Sequence, residues 1–150
     1  MTLPPQPAPE QPHRLLAIDA GQRRTGVAIS DELGLFAHTR PAIMGADTNA
    51  VIAAIARTVT DDAITEVVVG LPLTLSGAES AQTRATRDFV RRLREALTVP
   101  VSVWDERLTS REAAHSVKGA ARRRSGELDS AAAGLILQAV LDSRRLRAQQ

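Results

Sequence analysis

Carboxylates stand at three places in this chain where an α/β fold would present them to a ligand. Asp19 closes the apolar run Leu15-Leu16-Ala17-Ile18 and is followed by a turn at Gly21. Strand ends beside such turns are where open α/β sheets bind ligands. Asp105 and Glu106 follow a second apolar segment, Val101 to Trp104. Side chains alternate along a strand, so one of the two points to the rim, and alternation leaves open which. Asp129 shares a helical face with Ala132, Ala133, Ile136 and Val140. It therefore opens the stripe that packs on the sheet.

Each acid alone has a plain structural role. Asp19 suits a turn that hydrogen-bonds backbone amides. Asp105 or Glu106 suits an ion pair with Arg107, and Asp129 suits a helix N-cap, for which Ser130 competes. Gathered on one rim, the three would repel one another without a cation. Their hard oxygen donors fit Mg²⁺ or Mn²⁺. Two such ions about 4 Å apart are the apparatus by which nucleases activate water and stabilise a leaving oxygen. His13, His38 and His115 show no ligand or triad spacing.

Basic residues supply a complementary surface. Arg84, Arg87, Arg91 and Arg94 recur at helical spacing, forming a stripe opposite the apolar face. Arg122, Arg123 and Arg124 sit between Gly119 and Gly126, shortly before Asp129, with Arg111 and Lys118 nearby. Such a loop would hold a phosphate backbone without reading sequence. Only Phe36, Phe89 and Trp104 are aromatic, which argues against a base-stacking platform. The segment from Gly70 to Gly77 lacks the Gly-Lys-Ser/Thr of a P-loop. It reads as a constrained loop lining the same cleft.

The elements that must position these groups follow from periodicity. Leu15 to Ile18 reads as a central strand covered on both faces. Gly26 to Ser30 and Leu35 to Ile43 read as two more strands, joined to it by short connections in an antiparallel meander. A helix capped by Asp47 or Thr48 runs to Thr60. A buried strand then covers Glu66 to Gly70, and a long helix runs from about Ser80 to Leu97, with Ala85, Phe89, Leu93 and Leu97 inward. Val101 to Trp104 is a short strand. A short helix from Thr109 and a last helix from about Asp129 to Arg147 complete the order β-β-β-α-β-α-β-α-α. This is an α/β mixed sheet of five strands with helices on both faces.

The chain has 150 residues, which suits one domain with its own core. A Pro-rich leader over residues 1–13 holds Pro4, Pro5, Pro7, Pro9 and Pro12. It is expected to be disordered, leaving 14–150 as the folded unit. There is no cysteine, so thiol catalysis and Cys-ligated zinc are excluded. The pI of about 10.3 accompanies a net charge of only +2. It reflects a basic set that is almost all Arg, with almost nothing titrating between the His and Arg ranges. Position is more informative. Residues 1–83 carry 5 basic and 9 acidic groups, and residues 84–150 carry 14 and 8. The C-terminal half is the one that could meet a polyanion. With no basic start, no apolar leader and no membrane-length run, the chain is expected to be soluble and cytoplasmic, with no membrane partner.

Ile18-Asp19-Ala20-Gly21, the run Arg24 to Asp31, Val69-Gly70-Leu71-Pro72, the run Asp105 to Ser110, and Leu128 to Ala132 with Ile136-Leu137-Gln138 occur in that order. As an ordered set from about residue 15 to 142, they resemble the YqgF/RuvX family. The resemblance implies a ribonuclease H-like fold and a nuclease that matures the 5′ end of pre-16S rRNA. The same family has been described as Holliday junction resolvases. By position, it implies that the catalytic, metal-holding acids are Asp19, Glu106 and Asp129. The nucleic-acid contacts are then expected from Arg24, Arg84, Arg87, Arg91, Arg107, Lys118, Arg122, Arg123 and Arg124. Branched DNA is the alternative substrate, and a non-catalytic nucleic-acid-binding module in ribosome assembly or transcription is the alternative class. A symmetric junction cutter needs a dimer, and no dimer face is legible in the sequence.

Overall fold

In chain order the elements are β1 (Leu15–Ala20), β2 (Arg24–Ser30), β3 (Ala37–Met44), α1 (Thr48–Asp61), β4 (Glu66–Leu71), α2 (Ala81–Ala96), β5 (Val101–Asp105), a 3-10 turn (Glu106–Leu108) and α3 (Ala131–Ala148). The computed structural model describes residues 2–4, 13–109 and 130–149. Most of the Pro-rich leader, the short helix after Thr109, Lys118, the Arg122–Arg124 triplet and Asp129 lie outside the described residues.

Five strands form one sheet in the order β3-β2-β1-β4-β5. β1 pairs antiparallel with β2 and parallel with β4. β3 adds antiparallel to β2, and β5 parallel to β4. The central position of β1 explains its unbroken apolar run. Leu16 and Ile18 pack with Val51, Ile55 and Leu93 under α1 and α2. Leu15 and Ala17 pack with Ala133, Ile136 and Leu137 of α3 on the other face. Full burial of each such aliphatic side chain is worth roughly 1.5–3 kcal/mol.

Caps fix the helix starts. Asp47 takes the N-cap of α1 by accepting from the Asn49 N–H at 3.0 Å. Ser80 and Thr83 form a capping box on α2, and the Thr83 hydroxyl also donates to the Pro72 carbonyl. This hydroxyl explains a correction. Ala85 faces solvent, and the buried stripe of α2 is Thr83, Thr86, Val90 and Leu93. Hydropathy ranks Ala above Thr, but Thr83 enters the interior because its hydroxyl finds partners there. Likewise Ala132 is exposed, whereas Ala133, Ile136 and Val140 are buried.

α3 is tied to the sheet at two levels. Ser130, fully buried, accepts from the Val27 N–H at 3.0 Å and leaves its own helix without a side-chain cap. Gln138 accepts from the Ala37 N–H and donates to the Leu35 carbonyl, holding the start of β3.

At the pole where β4 starts, Arg144 grips Glu66 with two hydrogen bonds of 2.7 and 2.8 Å. This guanidinium, aided by His13 and Ser102, holds the Glu66 carboxyl below the usual glutamate range. The stabilisation is present above that range and is lost as pH falls through the lowered value. Arg144→Ala should cost about 1 kcal/mol in urea denaturation at pH 7, and the deficit should shrink toward zero at pH 3.

Candidate active site

β1, β4 and β5 run parallel, so their C-terminal ends share one rim. Asp19 lies on the α3 face, in phase with Leu15 and Ala17. Its partner on β2 is Gly26. On β4 the paired residues run to Ile18 and Val69, which brings Gly70 alongside Asp19. The carboxyl therefore sits between two strand positions that carry no side chain.

Glu106 comes from two strands away. Neighbouring strands lie about 4.8 Å apart, so β1 and β5 are separated by roughly 10 Å with β4 between them. The 3-10 turn ends the alternation of β5 and lays the Glu106 side chain across Gly70. A β-carbon at position 70 would lie 2.8 Å from Glu106 Oε1 and 2.5 Å from Ile136 Cδ1. A methyl group there would displace one or both side-chain ends. Over that bare backbone, the Glu106 carboxyl reaches Asp19 and shares a hydrogen bond with it.

The two acids cannot both ionise freely at this distance. Burial pushes both upward. Glu106, facing the Asp19 charge as well, rises to about 7. Asp19 is also raised by burial, but the hydrogen bond from Glu106 opposes that rise. Glu106 is thus the acid of the pair whose proton is held into the neutral range. A divalent cation could replace that proton, and the donor set, hard carboxylate oxygens in a partly buried site, fits one. Among the described residues no group of three potential ligands gathers, and Asp129 lies outside them.

Asp105 turns elsewhere. Its carboxylate accepts from Arg107 Nε and Nη2 at 2.6–3.0 Å and from the Arg107 backbone N–H at 2.9 Å. That guanidinium holds it below the usual range. The same Arg107 donates to the Leu75 carbonyl at 3.4 Å and lies against Gly77, whose φ is +85°. It braces the β4–α2 loop against the end of β5.

The other basic residues are dispersed. Arg24 opens β2 and is exposed. Arg84, Arg87 and Arg91 line the outside of α2. Arg87 pairs with Glu79, and Arg91 with Asp88 and Glu95. Arg94 donates to the Val101 carbonyl on the edge strand. The sequence reading passed over Gly26 and Gly70 as functional positions. A glycine inside a strand pattern signals close approach of another group, and that signal was available for both.

This placement of a carboxyl pair on a mixed β-meander sheet is the ribonuclease H-like fold of junction resolvases. Thermus thermophilus RuvC in complex with a Holliday junction substrate superposes with a TM-score of 0.60. It covers 89% of this chain and 96% of that one at 13% identity. Fowlpox virus resolvase with its Holliday junction DNA gives 0.54 over 87% and 98%, at 12% identity. Residues 13–143 match the family model described as RuvX, Holliday junction resolvase, and the chain belongs to that family. A Koribacter versatilis protein is 40% identical over 134 residues, spanning 87% of this chain and 88% of its own length. One from Syntrophus aciditrophicus is 39% identical over 133 residues, spanning 87% and 89%. Both bear the name "Putative pre-16S rRNA nuclease". The chain is thus a hydrolytic nuclease of a class that generally uses divalent metal.

Two outcomes follow from the carboxyl pair. Folded Glu106 keeps its proton to about pH 7, whereas an unfolded glutamate loses it near 4.3. Its contribution is therefore full below the unfolded value and is lost as pH rises through the folded one. In chelator, Glu106→Gln should melt progressively higher than wild type as pH goes from 5 to 8. Gly70→Ala should destabilise by about 1–3 kcal/mol, the usual cost of overpacking, and lower the Glu106 pKa in a carboxyl-carbon NMR titration.

Proposed function

We propose that this chain hydrolyses phosphodiester bonds in the precursor of 16S rRNA in the cytoplasm, with residues 14–150 as the nuclease unit. Asp19, Glu106 and Asp129 are the proposed holders of two Mg²⁺ or Mn²⁺ ions. The observation that carries the reading is the half-buried pair of carboxyls, Asp19 at the end of β1 and Glu106 laid across Gly70, where a cation would neutralise their repulsion. When bound, such ions polarise the phosphate and ease ionisation of the attacking water.

The chain's own residues supply the placement. Gly70 leaves the space in which Glu106 reaches toward Asp19, and Gly26 is the side-chain-free partner of Asp19 on β2. Ser130, anchored on Val27, fixes the residue after Asp129 beside β2, which supports Asp129 as the third acid. Arg107 holds the β4–α2 loop as one wall. Arg24, Arg84, Arg87, Arg91, Lys118 and Arg122 to Arg124 are proposed to meet the nucleic-acid backbone, which requires charge and no base reading.

The rRNA substrate is favoured because relatives bearing that name are 39–40% identical, whereas the junction-bound structures share 12–13%. Branched DNA remains the second reading, supported by the family description, and it would require a homodimer. A precursor 16S fragment and a four-way DNA junction, each incubated with Mg²⁺ or Mn²⁺, separate the two. Cleavage of the RNA should fall at least about a hundredfold in Asp19→Asn, since even outer partners of metal ligands cost 10–100-fold. Undiminished cutting by the variant would remove the site, and cutting of the junction alone would favour the resolvase reading.

A further inference from the structure

We infer that the cleft between α1 and α2 receives the substrate strand where it leaves the catalytic pair, and that it takes an unstacked, single-stranded nucleotide. The inference rests on the reading of Asp19 and Glu106 as the cleavage site. The cleft measures about 850 Å³ and opens on the same rim, with Ala20 and Gly21 of the β1–β2 turn in its wall. Alternation places Asp19 on the α3 face and Ala20 on the α1–α2 face, with Cα atoms one peptide, about 3.8 Å, apart. A strand crossing the turn from Asp19 therefore meets the cleft within its next residues.

The lining suits a nucleobase. Gly45, Ala81 and Ala85 keep the walls low, while Phe89 contributes an aromatic ring. Gln82 adds an amide with both donor and acceptor. The charged members of the wall are already engaged: Arg92 donates to Asn49, and Asp88 accepts from Arg91. A recess that combines apolar walls with convergent polar groups, here Gln22, Thr48 and Gln82 among them, is the form of a ligand pocket. Paired, stacked bases cannot enter such a recess, whereas a splayed single-stranded base stacks on an aromatic and offers its edges. One ring inside a cleft does this without an exposed platform.

The test uses the full chain carrying Asp19→Asn, so that binding is read without cleavage, and a hexaribonucleotide containing 2-aminopurine. Binding should change the fluorescence, and a blunt RNA duplex of the same sequence should bind more weakly. Adding Ala85→Phe fills the cleft from an exposed helix position, and an unchanged melting temperature shows that the fold persists. Affinity for the single strand should drop at least about tenfold, near the lower end of what stacking on an aromatic is worth. Gln82→Ala should weaken binding less. Equal affinity in Ala85→Phe overturns the inference, as does duplex binding that matches the single strand. Adenosine monophosphate bound in the cleft without displacing the strand overturns it too. With Asp19 intact, cleavage unaffected by Ala85→Phe rejects the cleft alone. A wild-type chain that binds the strand without cutting it rejects the catalytic reading alone.

Discussion

The Glu106 side chain crosses bare backbone at Gly70 to meet Asp19, and the site depends on that crossing. The two acids belong to strands that do not touch, because β4 lies between them. A side chain at position 70 of β4 would press on the Glu106 carboxyl and on Ile136. Partial burial and the facing Asp19 charge then raise the Glu106 pKa, since little water screens two like charges. The same closeness sets two carboxyl groups where a cation would relieve their repulsion.

Much of the remaining architecture holds that crossing in place. The antiparallel meander centres β1, so Asp19 is fixed by pairing on both sides. Ile136 of α3 presses on Gly70 from the same side as Glu106, and Ser130 pins the start of that helix to β2. Arg107 clasps Asp105 and the β4–α2 loop together. Asp105 is thereby withdrawn from the site, and the turn that carries Glu106 is steadied. Arg107, expected as a phosphate contact, carries this brace.

The sheet was legible in the sequence because its signals are local. An unbroken apolar run marks a strand buried on both faces, and short connections mark a meander. Strand ends differed by a residue or two, as at β3, where pairing rather than composition sets the limits. The inward face of α2 was less legible. Thr83 is buried with its hydroxyl bonded to the Pro72 carbonyl, which no periodicity scale weighs; Thr86 is buried as well, and Ala85 is left outside. At the site, alternation alone could not choose between Asp105 and Glu106, because the 3-10 turn interrupts it. The family resemblance named Glu106, and the structure shows the route by which its carboxyl reaches Asp19. The α1–α2 cleft had no sequence signal, since its walls come from the β1–β2 turn, the segment before α1 and the middle of α2.

Glu106 holds a proton beside Asp19 where a divalent cation would bind. Proton release on Mn²⁺ binding measures this directly, by titration calorimetry at pH 6 in buffers of different ionisation enthalpy. The account predicts release of about one proton per chain as the cation displaces the Glu106 proton, and none from Glu106→Gln. Binding of Mn²⁺ by the wild-type chain with no proton released would contradict it.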